Sequence, residues 1–506
     1  MIAFGQGVQT DEQTLDPIRE WAGWLYFFII GLTLLLVVSH ESYWIDEALM
    51  GVVARQSSLS SWWQTLVEIK AGELQSPFYS LYLWIFAQSF GSSEWALRAA
   101  GLIWLVPGLT VLVTGFHRCN QRVAALAAVI TSPFVWYYAG EARPYAMYLG
   151  ASCVVTGAIL RLMRTDLPVR KQSLWLSAFL VGIIFLCGTC MLGVIWGGCA
   201  LLVAFFLIPR ERLFRMCKAA PGRVTLTVVI LAVLGVYFMW TLRIGARSTS
   251  PGTTDWRSVA FVFYEQLGLL GLGPARTDLR TGGIQLLRPY AGILLTASVL
   301  IGFVLINGFL QMAKGKPAGR TIRIVFVVAA FALFLFTVGV TVRWRVLGRH
   351  CAGLMPGWIA LLAVGLADYW RRPGLWGKTM AIAYIALTLW SCLSIRFASR
   401  HARDDYRDAA KCANLALENN QVVWWNAAEP GAQYYNVPLR TEATGKNAAL
   451  LLINPQAQTL ALLSRPNVII TSKPDLYDND GTVAEYVRHG HYRSSQRFPA
   501  FTVWQE

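Results

Sequence analysis

Asp46 and Glu47 stand side by side in the stretch Tyr43-Trp44-Ile45-Asp46-Glu47-Ala48-Leu49-Met50, directly after the first long apolar run, Trp21 to Val38. Carboxylates at the edge of a hydrocarbon layer are costly, so such a pair needs a partner or a task. A helix beginning here would carry Trp44, Ile45, Leu49, Met50 and Val53 on apolar positions and aim Asp46 inward. There an ionised carboxylate can take a proton from an acceptor hydroxyl or amine as a general base. The same spacing also suits a water-facing acidic pair that complements the N-terminal end of a helix, and spacing alone favours neither account.

Three more polar clusters stand at the ends of apolar runs. Glu73 and Gln75 lie in Glu68-Ile69-Lys70-Ala71-Gly72-Glu73-Leu74-Gln75-Ser76-Pro77-Phe78-Tyr79, where ordinary helix-start chemistry explains Pro77 but not the carboxylate before it. Glu141, Arg143 and Tyr145 share Ala139-Gly140-Glu141-Ala142-Arg143-Pro144-Tyr145, and mutual neutralisation of the two charges is the simplest expectation there. The last cluster, Arg343-Trp344-Arg345-Val346-Leu347-Gly348-Arg349-His350, sets three Arg and one His within eight residues. Arg offers a planar set of donors that fits phosphate, and lipid headgroups are the alternative ligand. The nine cysteines lie mostly in or beside apolar runs, as small hydrophobes would. Cys187-x-x-Cys190 has no second ligand pair, so no metal-ligating residues are assigned.

The elements that must position these groups follow from composition. The chain has 506 residues, 55% hydrophobic and 14% charged, with 21 Trp. That is too apolar for a soluble globule and indicates a polytopic α-helical membrane protein. The first run is expected to be a retained span: it is long, lacks a small-residue cleavage site and follows an acidic tail of Asp11, Glu12, Asp16 and Glu20. A net charge of +16 could signal nucleic acid in a soluble protein. Here the basic residues cluster between apolar runs, as in loops facing the cytoplasm and anionic membrane lipids, and no nucleic-acid partner is expected.

Apolar runs recur at about 22–39, 77–90, 98–116, 123–139, 145–163, 174–190, 192–208, 224–243, 290–312, 324–341, 353–370 and 379–397. Basic clusters fall at Arg118/Arg122, Arg161 to Lys171, Arg210 to Arg223, Lys314 to Arg323 and Arg371/Arg372/Lys378. If these are inside, Asp46, Glu141 to Arg143, residues 244–289 and residues 342–352 all lie outside. That arrangement requires an odd number of crossings, and the run at 77–90 is short for one, so 11 to 13 spans are expected. Residues of about 40–76 and 244–289 should form interfacial helices on the outer face. After residue 399 the spans stop. A helix over His401 to Glu418, strands at Gln421 to Trp425 and Asn467 to Thr471, a helix over Val483 to Arg488 and a closing hairpin over Tyr492 to Trp504 predict a small α/β domain at 400–506, outside the cytoplasm.

The order of these features, with the acidic Asp46-Glu47, the helix start at Pro77, Phe90-Gly91-x-x-Glu94-Trp95-x-x-Arg98, Glu141-Ala142-Arg143-Pro144-Tyr145 and then Arg349-His350 with Pro356, resembles the GT-C membrane glycosyltransferases. Within them it is most similar to the glycosyltransferase family 39 and protein mannosyltransferase-like group, which includes the bacterial enzymes that place aminoarabinose on lipid A. The resemblance spans about residues 20 to 400. This chain has Gln75-Ser76-Pro77 where family members often carry His-Pro-Pro or Lys-Pro-Pro. The resemblance implies residues 1–399 as a GT-C transmembrane domain. It further implies inverting transfer of a sugar from a polyprenyl-phosphate donor to a lipid, glycan or protein acceptor, on the periplasmic or extracellular face of a bacterial inner membrane. Asp46 would be the base, with Glu47 beside it. Glu73, Gln75, Glu141, Arg143, Tyr145, Arg345, Arg349 and His350 would surround the substrates. The cofactor is left open, with a divalent cation among the candidates.

Other functions stay in play. A lipid-linked polysaccharide polymerase or ligase would use a similar site and move longer chains. A transporter would place its charges within spans near the midplane, whereas here they stand at span ends. A non-catalytic membrane scaffold would need none of them.

Overall fold

The computed structural model describes residues 16–164, 166–246, 253–314, 318–442 and 447–506. Asp11 and Glu12 of the acidic tail and residues 247–252 of the loop at 244–289 lie outside the described residues.

Each apolar run is helical, since a segment in hydrocarbon must satisfy its own backbone groups. In chain order, α1 (Asp16–Leu35) leads to two short helices, α2 (Ile45–Ala54) and α3 (Leu59–Ile69), then to α4 (Pro77–Phe90), α5 (Glu94–Gly115), α6 (Cys119–Ile130), α7 (Pro133–Ala139) and α8 (Tyr145–Leu162). There follow α9 (Val169–Thr189), α10 (Leu192–Leu207), α11 (Arg210–Ala219) and α12 (Pro221–Arg243). The loop at 244–289 holds α13 (Trp256–Gln266) and α14 (Arg276–Gly282), and α15 (Ala291–Ala313), α16 (Ala318–Thr341), α17 (Met355–Arg371) and α18 (Leu375–Phe397) complete the helical part. Eight of the described helices are long and apolar enough to cross a membrane. Two bent pairs, α6 with α7 at 54° and α10 with α11 at 117°, raise the number to ten. The chain is a multi-pass membrane protein. Only when the shorter apolar segment Trp21–Leu35 is included does the number reach the lower end of the expected 11 to 13. The break between α6 and α7 is local chemistry: Pro133 cannot continue a helix but starts one, and Ser132 Oγ caps it by accepting from the Val135 N–H at 3.3 Å.

Glycines set a close backbone contact between α5 and α8. A Cβ on Gly108 of α5 would lie 2.6 Å from Gly150 Cα of α8, and one on Gly157 would lie 2.6 Å from the Val111 carbonyl oxygen. Neither position can hold a larger residue, and such small-residue seams let membrane helices touch backbone to backbone. The seam continues to Gly101 and Ala146. It therefore sets the first turn of α5, which carries Arg98, against residues 140–144 just ahead of α8.

The C-terminal part is the expected α/β domain. It contains α19 (Tyr406–Glu418), β1 (Val423–Asn426), α20 (Glu429–Tyr434), β2 (Leu439–Arg440), β3 (Ala449–Leu451), α21 (Ala457–Ala461), β4 (Val468–Ser472), α22 (Pro474–Tyr477), α23 (Thr482–His489), β5 (Arg493–Phe498) and β6 (Phe501–Gln505). The sheet order is β2-β3-β1-β4-β6-β5, parallel from β2 to β4 and closed by the antiparallel β5–β6 hairpin. Central β1 is buried on both faces, as a parallel strand should be, with Trp425 in one core and Trp424 in another. The boundaries shift by one or two residues at the strands and most at the first helix, where α19 starts at Tyr406, not at His401, because Asp405 Oδ1 caps it by accepting from the Asp408 N–H.

The C-terminal domain packs onto α2. A Cβ on Gly51 would lie 2.6 Å from the Tyr434 ring, and Arg55 stacks its guanidinium 3.6 Å from the centre of that ring. The Tyr435 hydroxyl accepts from the Tyr43 N–H at 2.9 Å and donates to Glu94 at 3.0 Å.

Candidate functional site

Asp46 occupies the first turn of α2, where a carboxylate complements the helix dipole. Its side chain is 30% exposed, with Arg143 Nη2 3.7 Å and Arg349 Nη1 3.9 Å from Oδ2. Arg143 also donates to the Asp46 carbonyl at 3.0 Å and pairs closely with buried Glu73. Arg349 lies over the Tyr145 ring, 5.6 Å from its centre. Asp46, Glu73, Arg143, Tyr145 and Arg349 thus come from distant segments to one place.

Glu47 points the other way, into the protein. Its Oε1 accepts from Arg98 Nε at 2.9 Å and from the Ala142 N–H at 2.8 Å; its Oε2 accepts from Arg98 Nη2 at 2.7 Å. Arg403 Nη1 stands 2.9 Å from Oε2 without hydrogen-bond alignment, so that contact is ionic. Arg98, fully buried, spends its remaining donors on the carbonyls of Ser39, Glu41 and Ser42. Burial pushes the Glu47 carboxyl up, but Arg403, Arg98 and the Ala142 N–H outweigh it and hold the group down at about 2. A water-facing acidic pair is therefore not what α2 presents.

Glu141 and Arg143 do not neutralise each other. Arg143 turns to Glu73 and Asp46, while both Glu141 carboxylate oxygens are buried with no hydrogen-bond partner among the described residues. Burial drives the Glu141 carboxyl up to about 7, against the pull of Arg403, Arg276 and Arg349 and with the push of Glu47.

Residues 348–350 are held from below. Glu265 Oε2 accepts from the Gly348 N–H at 2.6 Å, its Oε1 lies 2.9 Å from Arg276 Nη2, and Gln266 Nε2 donates to the Gly348 carbonyl at 3.0 Å. His350 is buried, its ring tilted by 33° against Trp344 at 4.2 Å between ring centres, and its Nδ1 accepts from the Leu347 N–H at 2.9 Å. The charge of Arg345 acts on Asp255, and no ion pair or hydrogen bond joins it to Asp46 among the described residues. Gln75 is buried and donates to the Ala246 carbonyl at 3.0 Å, so its amide is occupied by the backbone. Among the described residues no three His, Cys, Asp or Glu side chains gather as a metal site.

The sequence reading does not single out Arg98, Glu265, Arg276 or Arg403 as site residues. Arg98 carried a signal, since a charge near the start of an apolar run demands a buried partner. Arg403, one of several Arg in a polar segment, carried none.

No family model and no curated protein matches the chain. Among solved structures it is similar to ArnT from Cupriavidus metallidurans bound to undecaprenyl phosphate, at 12% identity over 96% of this chain and 98% of that one, with a TM-score of 0.49. It is also similar to the arabinofuranosyltransferase AftD from Mycobacteria, at 12% identity over 96% of this chain and 41% of that one, TM-score 0.45. A third similar structure is an Archaeoglobus fulgidus oligosaccharyltransferase in complex with Zn and sulfate, at 11% identity over 88% of this chain and 68% of that one, TM-score 0.46.

Proposed function

We propose that the chain is an inverting glycosyltransferase of the GT-C type, moving a sugar from a polyprenyl-phosphate donor to a lipid, glycan or protein acceptor at the outer face of the membrane. One observation carries this: Asp46, a partly exposed carboxylate, is flanked by Arg143 and Arg349 at 3.7 and 3.9 Å. A base and two phosphate-binding cations within one side chain's reach are what the transfer requires. The acceptor oxygen or nitrogen forms a bond to the anomeric carbon as its proton passes to Asp46. The bond from that carbon to the phosphate oxygen breaks with its electron pair on the phosphate, and Arg143 and Arg349 favour the charge gathered there. Glu73 holds Arg143 in place, and the Glu265–Arg276 pair holds the residues next to Arg349. Residues 400–506 lie on the same outer face in this reading.

Mass spectrometry of envelope glycans and lipid-linked sugars from cells lacking the protein tests it. The donor should accumulate and one sugar modification should vanish. Wild-type protein should restore the profile, and Asp46→Asn should not, because losing a positioned base lowers turnover by about 10²–10⁴-fold. Restoration by Asp46→Asn to the wild-type level would overturn the assignment.

A further inference from the structure

Arg403 reaches the buried carboxylate of Glu47 from the C-terminal domain. It sits between α18 and α19, and the two residues after it are fixed to the sheet domain: Asp404 pairs with Lys473, both side chains under 10% exposed, and the Asp405 N–H donates to the Pro499 carbonyl at 3.0 Å. From that anchor its guanidinium runs to Glu47, with Nη1 2.9 Å from Oε2. Its Nη2 lies against Gly140, where an added Cβ would be 3.5 Å away, and Glu141 is the next residue. Its outer flank lines a polar recess of about 370 Å³ together with Glu41, Asp405 and Arg407. One side chain of the sheet domain therefore pairs with one buried carboxylate of the membrane domain and lies against the segment that carries a second.

Among the described residues Glu141 has no hydrogen-bond partner, so burial and the surrounding charges together decide whether it is ionised. Arg403 is the strongest cation acting on it; Arg276 and Arg349 act from the loops, Glu47 opposes them from α2, and Tyr79, Tyr137, Tyr138 and Tyr145 face it from α4, α7 and α8. Removing Arg403 would leave Glu141 beside the negative Glu47 with its main counter-charge gone.

We propose that Arg403 is a positioning residue of the candidate site, by which docking of the C-terminal domain fixes Glu47 and sets the charge of Glu141. The sheet domain is then part of the site's electrostatics and not only a lid on α2. This rests on the transfer reading only in calling the cavity a site.

The test needs no sugar donor, so its outcome is separate from that of the transfer reading. In pH-difference infrared spectra of the purified full-length protein, a carboxylic C=O band should titrate near neutral pH and be absent from Glu141→Gln. In Arg403→Gln, which removes the charge but leaves a polar side chain, the midpoint should rise by about one pH unit or more. Arg403→Lys should return it towards the wild-type value. If the single Gln variant does not fold, Glu47→Gln with Arg403→Gln removes an opposite pair together, and the midpoint should still rise because Arg403 acts on Glu141 more strongly than Glu47 does. An unmoved midpoint in a folded charge-free variant would reduce Arg403 to a structural bridge and overturn the proposal. So would a lysine variant displaced as far as the glutamine one.

Discussion

Glu47 and Glu141 are both closed off from solvent, yet among the described residues one is surrounded by donors and the other has none. Around Glu47, two guanidinium groups and a backbone N–H leave neither carboxylate oxygen unmatched. Around Glu141, apolar burial comes without a hydrogen bond, and the nearest cations are committed to other carboxylates. The difference separates a group that holds the fold from one whose charge is free to change. A fully satisfied buried network rigidifies its surroundings, whereas an unpartnered buried acid near neutrality is the usual mark of a functional position.

The largest expected effect breaks the satisfied side. Glu47→Gln leaves Arg98 and Arg403 buried with too little negative charge between them. Breaking a buried pair in this way costs about 3–5 kcal/mol, and thermal unfolding of the purified protein at pH 7 should show it directly.

The opposite substitution should do the reverse. The Glu141 value near 7 lies above its ordinary 4.5, so its stability contribution is full below pH 4.5 and is lost as pH rises through 7. The Glu47 value near 2 lies below 4.5, so its contribution is full above pH 4.5 and is lost as pH falls towards 2. Each shift corresponds to about 3 kcal/mol. Glu141→Gln should therefore melt higher than wild type at pH 8, with the gain gone at pH 4.5. A gain that is the same at both pH values would show that Glu141 is not the titrating group.

Arg349→Ala comes next in size and acts on the open side. Losing a charge-assisted contact to the donor phosphate, worth about 1.5–3 kcal/mol, should weaken apparent donor affinity by about one to two orders of magnitude. Its effect on the melting temperature should be small. Arg349→Lys should recover part of the affinity, since it keeps the charge but loses the planar fork.

Much of this layout was legible from sequence because hydrophobic runs and basic clusters are long-range averages that single contacts do not disturb. The helices and the α/β domain follow from that signal, and so does the expectation that Asp46, Arg143 and Arg349 share one face, but their convergence on one point does not. Pairing was not legible. Nothing local says that Arg143 turns to Glu73 instead of Glu141, or that Arg98 of α5 threads its donors onto the carbonyls of residues 39–42. Such choices depend on the glycine seam between α5 and α8, which brings the two segments together, and on a C-terminal domain outside the resemblance. Gln75 shows the converse: its place beside Pro77 drew attention, while its amide is spent on Ala246.

The smallest effect belongs to a second link between the C-terminal domain and the outer loops, and it serves as a control for Arg403. Arg280 Nη2 donates to Asp475 Oδ1 at 3.0 Å, joining α14 to α22, but the two side chains are 27% and 37% exposed. Water competes for both partners, and holding two mobile side chains in one geometry offsets much of the attraction, so such pairs contribute about 0–1 kcal/mol. Arg280→Ala should change stability by no more than that and leave donor use unaltered, even though it removes a bridge between the same two parts of the molecule that Arg403 connects. A double-mutant cycle with Asp475→Ala gives the pairwise value. A coupling well above 1 kcal/mol, or a fall in activity comparable to that of an Arg403 variant, would mean that any bridge to the sheet domain matters to the site. The special standing of the buried one between Glu47 and Glu141 would then be lost.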